Sequence, residues 1–475
     1  MRSSQTADND KTLDNEFTRG RDTGALSGAP EPGLVLTFSD GAPATDVIPL
    51  ERGSIVIGRG EVGGVMLHDK RMSRHHARIS FDGQIWYIED LKSHNGSAAD
   101  GEEIPSATTK TARKVARAGR SLFLLVPDVR PFRAGVVRSP EAVIGPTLQR
   151  SLVTIMRAAR SDRVLLINGE SGSGKELAAR SYHNGGPAPA GPFVAVNAAT
   201  LKPELSEAML FGARKGFYSG APGGPGFIQA AHGGTLFLDE IAELDASVQA
   251  KLLRVLEKRE VTPLGKTKSE FVDFRFCSAT HADLRAMVAS GKMRADLYFR
   301  IATQSVTLPP LRERLEEIPW LIERAVKETE SSLGALGVHV LFVEACLLRV
   351  WPGNVRELMA EVRNAAQLAV DDGGVLLAHH LNPRAGTADA LQVGSEPPPV
   401  TPEERPRAAK APRTAKAPRV ANAPRAPSNK PSDEAIAEAL KATQGNRAQA
   451  ARLLGMHRTQ LYRRLEARGD SGEGG

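Results

Sequence analysis

Apolar positions along the chain follow two spacings. Between residues 33 and 128 they come in short alternating runs, such as Leu34-Val35-Leu36-Thr37-Phe38, Ser54-Ile55-Val56-Ile57 and Ile85-Trp86-Tyr87-Ile88, separated by Gly, Asp and Asn. Short strands cut by turn residues predict an all-β sandwich. From about residue 143 to 381 the pattern changes. Val164-Leu165-Leu166-Ile167 and Thr235-Leu236-Phe237-Leu238 read as fully buried strands, while residues 247–259 repeat apolar positions at helical spacing. Strands alternating with helices predict an α/β domain built on a parallel sheet. A short helical pattern returns over residues 431–468, predicting a small all-α unit.

Residues 1–32 are polar and predict disorder. Residues 385–430 are rich in Pro, Ala and cations and repeat a six-residue unit, Lys410-Ala411-Pro412-Arg413-Thr414-Ala415 then Lys416-Ala417-Pro418-Arg419-Val420-Ala421. Proline at that density prevents helix and sheet, so an extended linker is expected. Its first role is spacing; its cations also offer a sequence-blind grip on DNA phosphates. The expected organisation is disorder over 1–32, a sandwich over 33–128, an α/β domain over 140–384, a linker over 385–430 and a helical tail over 431–468.

Composition narrows the setting. A length of 475 residues fits about three domains. Cys277 and Cys346 are the only cysteines, which is no disulfide framework and fits a reducing compartment. The first thirty residues lack the apolar core of a signal peptide. No apolar run approaches the roughly 20 residues that span a bilayer, so no membrane partner and a cytoplasmic location are expected. The net charge is +7, with the basic excess near the C-terminus. A basic tail favours polyanions.

The chemistry starts where the first buried run ends. Gly169-Glu170-Ser171-Gly172-Ser173-Gly174-Lys175-Glu176 follows a strand and precedes a helical stretch. Glycines let a backbone wrap phosphates with its N–H groups inward, and Lys175 reaches the β and γ phosphates. The general phosphate-binding loop has Ser or Thr where Glu176 stands. Taken alone, the motif also fits a Gly-rich turn before a helix. Asp239 and Glu240 end the second buried run with two carboxylates, one suited to Mg²⁺ and the other to polarising an attacking water.

With these residues the stretch 143–382 resembles the AAA+ domain of bacterial enhancer-binding proteins, the activators of sigma-54 RNA polymerase. Further matching strings are Phe193-Val194-Ala195-Val196-Asn197, Leu308-Pro309-Pro310-Leu311-Arg312-Glu313-Arg314 and Trp351-Pro352-Gly353-Asn354-Val355-Arg356-Glu357-Leu358. Glu176 fits this family. The resemblance implies an ATP hydrolase using Mg²⁺, with a P-loop core and a helical lid. It implies that Asn197 restrains Glu240 until nucleotide is in place, and that Arg294 and Arg300 are arginine fingers offered to a neighbouring subunit. Arg356 resembles the sensor-two arginine. Thr280 and His281 occupy the sensor-one position, where the family usually has Thr-Asn; histidine there still hydrogen-bonds phosphate or Glu240. Fingers supplied in trans imply a ring, expected to be a hexamer.

The family touches sigma-54 through a Gly-Ala-Phe-Thr-Gly-Ala loop. Here the aligned residues are Gly216-Phe217-Tyr218-Ser219-Gly220-Ala221. Tyr218 keeps the aromatic ring, Ser219 keeps a hydroxyl, and Phe217 replaces a small residue. Met209 and Ala213 stand where the family often has Glu and His.

Residues 54–101 resemble a forkhead-associated domain, a phosphothreonine-binding β-sandwich. The pieces are Gly58-Arg59, Ser73-Arg74-His75-His76 and Ser93-His94-Asn95-Gly96. Arg59 and Arg74 supply charge and Ser73 a hydroxyl donor for phosphate. Asn95 bonds the peptide backbone in such domains, His94 replaces the usual Thr, and His76 braces the loops. The competing reading is a sandwich that only docks against the ATPase. The input is expected from a phosphothreonine-containing protein or a Ser/Thr kinase, with Thr6, Thr12, Thr18 and Thr23 as internal candidates.

Residues 432–468 resemble a Fis-type helix-turn-helix. Ser432 caps the first helix, Gly445 ends it, Asn446 caps the second and Gly455 makes the turn. Met456, Leu461 and Leu465 face inward on the third helix. His457, Arg458, Gln460, Arg463 and Arg464 face double-stranded DNA, Arg reading guanine and Gln reading adenine. The expected function is a sigma-54-dependent activator gated by phosphothreonine recognition. The alternatives are a DNA-binding ATPase that no longer touches sigma-54 and a phosphopeptide-binding scaffold.

Overall fold

The computed structural model describes residues 28–139, 142–161, 163–214, 216 and 223–388. The helix-turn-helix, residues 389–430 of the linker, the four threonines near the N-terminus and Phe217 to Ala221 lie outside the described residues.

The sandwich is built from β1 (Gly33–Ser39), β2 (Ala42–Pro49), β3 (Ser54–Ile57), β4 (Gly60–Val62), β5 (Val65–Leu67), β6 (Ala77–Phe81), β7 (Trp86–Asp90), β8 (Ser97–Ala99), β9 (Glu102–Ile104), β10 (Thr109–Ala112), β11 (Val115–Ala118) and β12 (Ser121–Val126). One sheet has the order β2-β1-β12-β11-β8-β9 and the other β10-β7-β6-β3. Leu34, Leu36, Phe123 and Leu125 fill the space between the sheets. The next residues in the same strands point the other way and are also buried: Val35, Phe38, Val115, Leu122 and Leu124 share a core with the helices near the C-terminal end of the described chain. This differs from the alternating run that the sequence pattern suggests for Leu34 to Phe38. Every residue from Leu34 to Phe38 is buried, because the sheet is covered on both sides. Doubly covered sheets read as continuous apolar runs.

A two-stranded ribbon, β13 (Val137–Arg138) with β14 (Val143–Ile144), leads into the second domain. There α1 (Pro146–Ser161), β15 (Val164–Asn168), α2 (Lys175–Asn184), β16 (Phe193–Asn197), α3 (Pro203–Phe211), α4 (Phe227–Ala230), β17 (Thr235–Asp239) and α5 (Ala246–Lys258) follow in order. A small hairpin, β18 (Glu260–Val261) with β19 (Glu270–Phe271), precedes β20 (Arg275–Thr280), α6 (Leu284–Ala289), α7 (Ala295–Ile301) and β21 (Ser305–Thr307). The main sheet is all parallel, in the order β16-β17-β20-β15-β21. The runs read as buried strands are β15 and β17, with only their last residues reaching partial exposure. The helix read over 247–259 is α5, which turns Val248, Leu252, Val255 and Leu256 inward.

The lid is α8 (Ile318–Leu333), α9 (Val340–Leu348) and α10 (Asn354–Asp371). It is the element that packs on the sandwich. The chain stays on the lid past α10. Gly386 O accepts from the N–H groups of Val350 (2.9 Å) and Trp351 (3.1 Å), and Gly386 N donates to Glu357 Oε1 (2.7 Å). Residues 385–388, assigned to the linker on composition, are thus tied down by backbone hydrogen bonds that composition does not reveal. Both cysteines are buried and free. Among the described residues no helix is long and apolar enough to cross a membrane.

Candidate nucleotide and phosphopeptide sites

The parallel order brings the carboxyl ends of β15, β17 and β20 together, and the loop after β15 opens between its neighbours β20 and β21. Ligands of open α/β sheets bind at such a point. The loop is shaped for close approach. Gly172 has φ of +73°, and a Cβ there would meet Gly353 O at 2.3 Å, so no side chain fits. Ser173 Oγ is buried and has no protein partner, a hydroxyl open to a ligand oxygen. Lys175 opens α2 and is almost fully buried, with Nζ donating to Gly169 O (3.1 Å) and Glu240 Oε1 (3.1 Å). Glu176 points away and pairs with Arg180 at 2.9 Å on the surface.

Asp239 ends β17 half-buried, its Oδ1 accepting from Glu240 N at 3.1 Å; burial pushes its carboxyl up. A half-buried carboxylate offers the hard oxygen ligand that a divalent cation such as Mg²⁺ takes. Glu240 has a left-handed backbone, φ 52° and ψ 51°. Its carboxylate is shared between Lys175 and His281. Thr280 is fully buried; its carbonyl accepts from Gly169 N at 3.1 Å and its hydroxyl from Ala282 N at 3.0 Å.

The lid closes over the loop from the other side. Arg356 Nη1 reaches Ser171 Oγ at 3.3 Å. Asn354 is buried in a left-handed conformation at φ 52°. Its amide donates to Ser171 O (2.9 Å) and Glu170 Oε2 (3.1 Å), and its Oδ1 accepts from Leu311 N (2.7 Å). Arg312 grips Glu170 with two hydrogen bonds of 2.9 and 2.8 Å, which hold the Glu170 carboxyl below the usual range. Arg314 Nη2 donates to Ser173 O at 3.1 Å. Arg312, Arg314 and Asn354 thus also serve the loop, and each lies inside a string shared with the family, residues 308–314 and 351–358.

Other expected residues stand elsewhere. Asn197 Oδ1 accepts from Ala199 N at 2.9 Å, capping a short turn, and it is not the group that holds Glu240 here. Arg294 pairs with Asp296 through contacts of 3.1 and 2.8 Å, and Arg300 donates to Leu256 O at 3.2 Å; both are exposed. Gly216 has φ of +76°. The loop it opens leaves from a pinched stem in which Ala213 bridges Gly224 and Leu264.

The sandwich gathers three loops. Gly58 packs so tightly that a Cβ would fall 1.9 Å from Arg74 O, and Arg59 N donates to Ser73 O at 2.9 Å. His76 is fully buried, its Nδ1 accepting from Ser73 N (3.0 Å) and its Nε2 donating to Gly96 O (2.9 Å). Ser73 Oγ accepts from His94 N (3.2 Å), and Asn95 Nδ2 donates to Arg71 O (2.7 Å). Arg59, Arg74, His94 and Asn95 are thereby held exposed around Ser73.

Comparison with known proteins identifies the domains that carry these sites. Residues 143–307 match the sigma-54 interaction domain and residues 312–394 the AAA+ ATPase lid domain. The DNA-binding transcriptional regulator NtrC of Azospirillum brasilense is 35% identical over 353 residues, covering 71% of this chain and 72% of that protein. The chain belongs to the sigma-54-dependent transcriptional activators. In this activator residues 55–114 match the FHA domain and residues 433–467 the Fis family of bacterial regulatory proteins. The transcriptional activator AcoR of the Bacillus subtilis acetoin dehydrogenase operon is 37% identical over 320 residues, 67% of this chain. The chain spans about half the length of AcoR, 49%. NtrX from Brucella abortus, solved with ATP, aligns at 28% identity and a TM-score of 0.48, covering 68% of this chain and 67% of that one.

Proposed function

We propose that this activator hydrolyses ATP in a ring to remodel sigma-54 RNA polymerase holoenzyme at promoters. Its tail holds double-stranded DNA, and its sandwich takes the signal from a phosphothreonine-containing protein or a Ser/Thr kinase. The observation that carries the reading is the position of the lid. Asn354 and Arg356 touch the phosphate loop, and Glu344 on α9 of the same lid is bonded to Arg117 of the sandwich. Sensor and motor therefore share one element.

In this reading Lys175 leaves Glu240 for the β and γ phosphates, while the backbone of Gly169, Glu170, Ser171, Gly172, Ser173 and Gly174 wraps them. Asp239 holds Mg²⁺, which when bound neutralises charge on the phosphate oxygens. Glu240 polarises the attacking water. Thr280 fixes the loop, Arg356 reports closure, and Arg294 and Arg300 reach the site of a neighbouring subunit, with a hexamer as the expected ring. The loop from Gly216 to Ala221 carries Phe217, Tyr218 and Ser219 to sigma-54. His457, Arg458, Gln460, Arg463 and Arg464 read DNA. Polymerase and DNA as partners set this work in the cytoplasm.

The test is transcription from a sigma-54 promoter with purified components. Tyr218→Ala is expected to keep ATPase activity and lose transcripts. Transcript levels equal to wild type with Tyr218→Ala, or none from a wild type that hydrolyses ATP, would leave a DNA-binding ATPase that does not use this loop on sigma-54.

A further inference from the structure

Arg314 is 1% exposed, a full positive charge inside the protein. It stands between two single turns, Leu311–Glu313 and Leu315–Glu317, just before α8. Its N–H donates to Leu311 O (2.9 Å) and its carbonyl accepts from Glu317 N (3.0 Å). Leu311 N is itself held by Asn354 Oδ1 at 2.7 Å. The backbone is pinned before the side chain begins.

A buried charge is tolerated only beside partners. Nη1 of Arg314 lies 3.3 Å from Glu317 Oε2, but the two are not aligned as a hydrogen bond, and Arg314 Nε has no hydrogen-bond partner either. Glu317 gives its other oxygen to Gly145 N (2.8 Å), and Glu316 beside it accepts from Thr147 N (3.2 Å). The hydrogen bond that the guanidinium does make runs toward the phosphate loop, from Nη2 to Ser173 O at 3.1 Å.

Ser173 O shares a peptide unit with the nitrogen of Gly174. Gly174 has φ of +101°, ends the loop and stands at the N-cap of α2. Its N–H has no partner among the described residues. The peptide is planar and trans, so a carbonyl turned toward Arg314 sends the N–H the opposite way. A cation on the carbonyl also polarises the unit and makes its N–H the stronger donor.

We propose that Arg314 is a positioning residue of the phosphate loop, fixing the Ser173–Gly174 peptide so that Gly174 N–H is offered to the nucleotide phosphates; this rests on the nucleotide-site reading above. Arg314 acts from behind the loop and touches no ligand. Arginine suits the task because one end of its planar fork faces Glu317 while the other reaches Ser173 O. Lysine has a single point of charge on a shorter stem and cannot serve both.

The test is displacement of a fluorescent ATP analogue by ATP and by adenosine, together with steady-state hydrolysis, on the full chain below the melting temperature of each variant. Arg314→Lys keeps the charge beside Glu317 but stops short of Ser173 O. Arg314→Met combined with Glu317→Gln removes the buried pair and keeps an acceptor for Gly145 N. ATP binding is expected to weaken about fivefold to tenfold in Arg314→Lys against wild type, and in the double variant against Glu317→Gln. KM is expected to rise by the same factor, with kcat within about threefold. Adenosine, which carries no phosphate, is expected to bind within about twofold of its reference in both. General damage to the site would weaken adenosine as much as ATP. The proposal is overturned by unchanged ATP affinity in Arg314→Lys or in the double variant, by equal losses for ATP and adenosine, or by a fall in kcat at unchanged KM. A double variant that melts below the assay temperature leaves Arg314→Lys to decide alone. Lys175→Ala that binds ATP as tightly as wild type would overturn the nucleotide site itself; a loss in Lys175→Ala with normal Arg314 variants overturns only the role of Arg314.

Discussion

Arg117 of the sandwich donates through Nε to Glu344 of the lid at 2.8 Å, and the two side chains are 7% and 5% exposed. The guanidinium also pairs with Glu103. Around this pair lies one apolar core made from both domains. A buried charge left without its partner typically costs about 3–5 kcal/mol, whereas replacing both partners by apolar groups is often neutral. Arg117→Ala is therefore expected to destabilise by about that amount in denaturant unfolding. Arg117→Met combined with Glu344→Leu is expected to recover most of the loss. Equal losses in the single and double variants would mean that the pair is not what the interface depends on.

If the shared lid couples the two proposed binding sites, the coupling is reciprocal. If a phosphothreonine peptide changes ATP affinity by some factor, ATP must change peptide affinity by the same factor. A change of about fivefold or more is expected in both directions by calorimetry. Arg59→Ala is expected to abolish peptide binding and with it the effect on ATP. Peptide binding that leaves ATP affinity untouched would sink the gating.

Asn354 joins the lid to the loop through Ser171, Glu170 and Leu311. Truncating it leaves the buried Leu311 N–H without a partner, a cost of about 1–3 kcal/mol. Asn354→Ala is expected to lower stability by that amount and to weaken nucleotide binding. Asn354→Asp keeps the acceptor but sets a carboxylate against Glu170, so it is expected to bind nucleotide no better than the alanine variant.

His76 gives the sandwich a pH dependence. Burial lowers its pKa from the ordinary 6.5, and its Nδ1 must stay unprotonated to accept from Ser73 N. A histidine with a depressed folded pKa contributes stability that is complete above its unfolded value and lost as pH falls through the folded value. The melting temperature of the full chain is expected to drop as pH falls below the ordinary histidine value of 6.5, with phosphopeptide affinity falling alongside. His76→Gln is expected to be less stable at neutral pH and to flatten that slope. An unchanged slope in His76→Gln would remove His76 as its source.

Motifs whose spacing is local were legible in the sequence. The phosphate loop lies between one strand and one helix, and the acids at Asp239 and Glu240 simply end a buried run. The three sandwich loops are short strings, and their order sufficed to bring Arg59, Ser73, Arg74 and Asn95 to one end. Contacts set by tertiary packing were not legible. Arg117 and Glu344 lie 227 residues apart, and that spacing is no motif. The meeting of His281 with Glu240 across 41 residues is one of the two contacts that the family resemblance implies, and only the structure chooses between them. The stretch from Leu34 to Phe38 did carry a trace of the lid, since four of its five residues are apolar, more than a sandwich strand with one wet face needs. The turn of Asn197 toward Ala199 depends on a local cap competing with a distant carboxylate, which sequence does not rank.

Open-complex formation at a sigma-54 promoter, followed by permanganate footprinting while a phosphothreonine peptide is titrated, joins all parts of the mechanism in one experiment. Wild type is expected to open the promoter only with ATP, at a rate that shifts as peptide is added, and Glu240→Gln is expected to open none while still binding ATP. Wild-type protein that hydrolyses ATP and binds the promoter yet leaves it closed at every peptide concentration would contradict this mechanism.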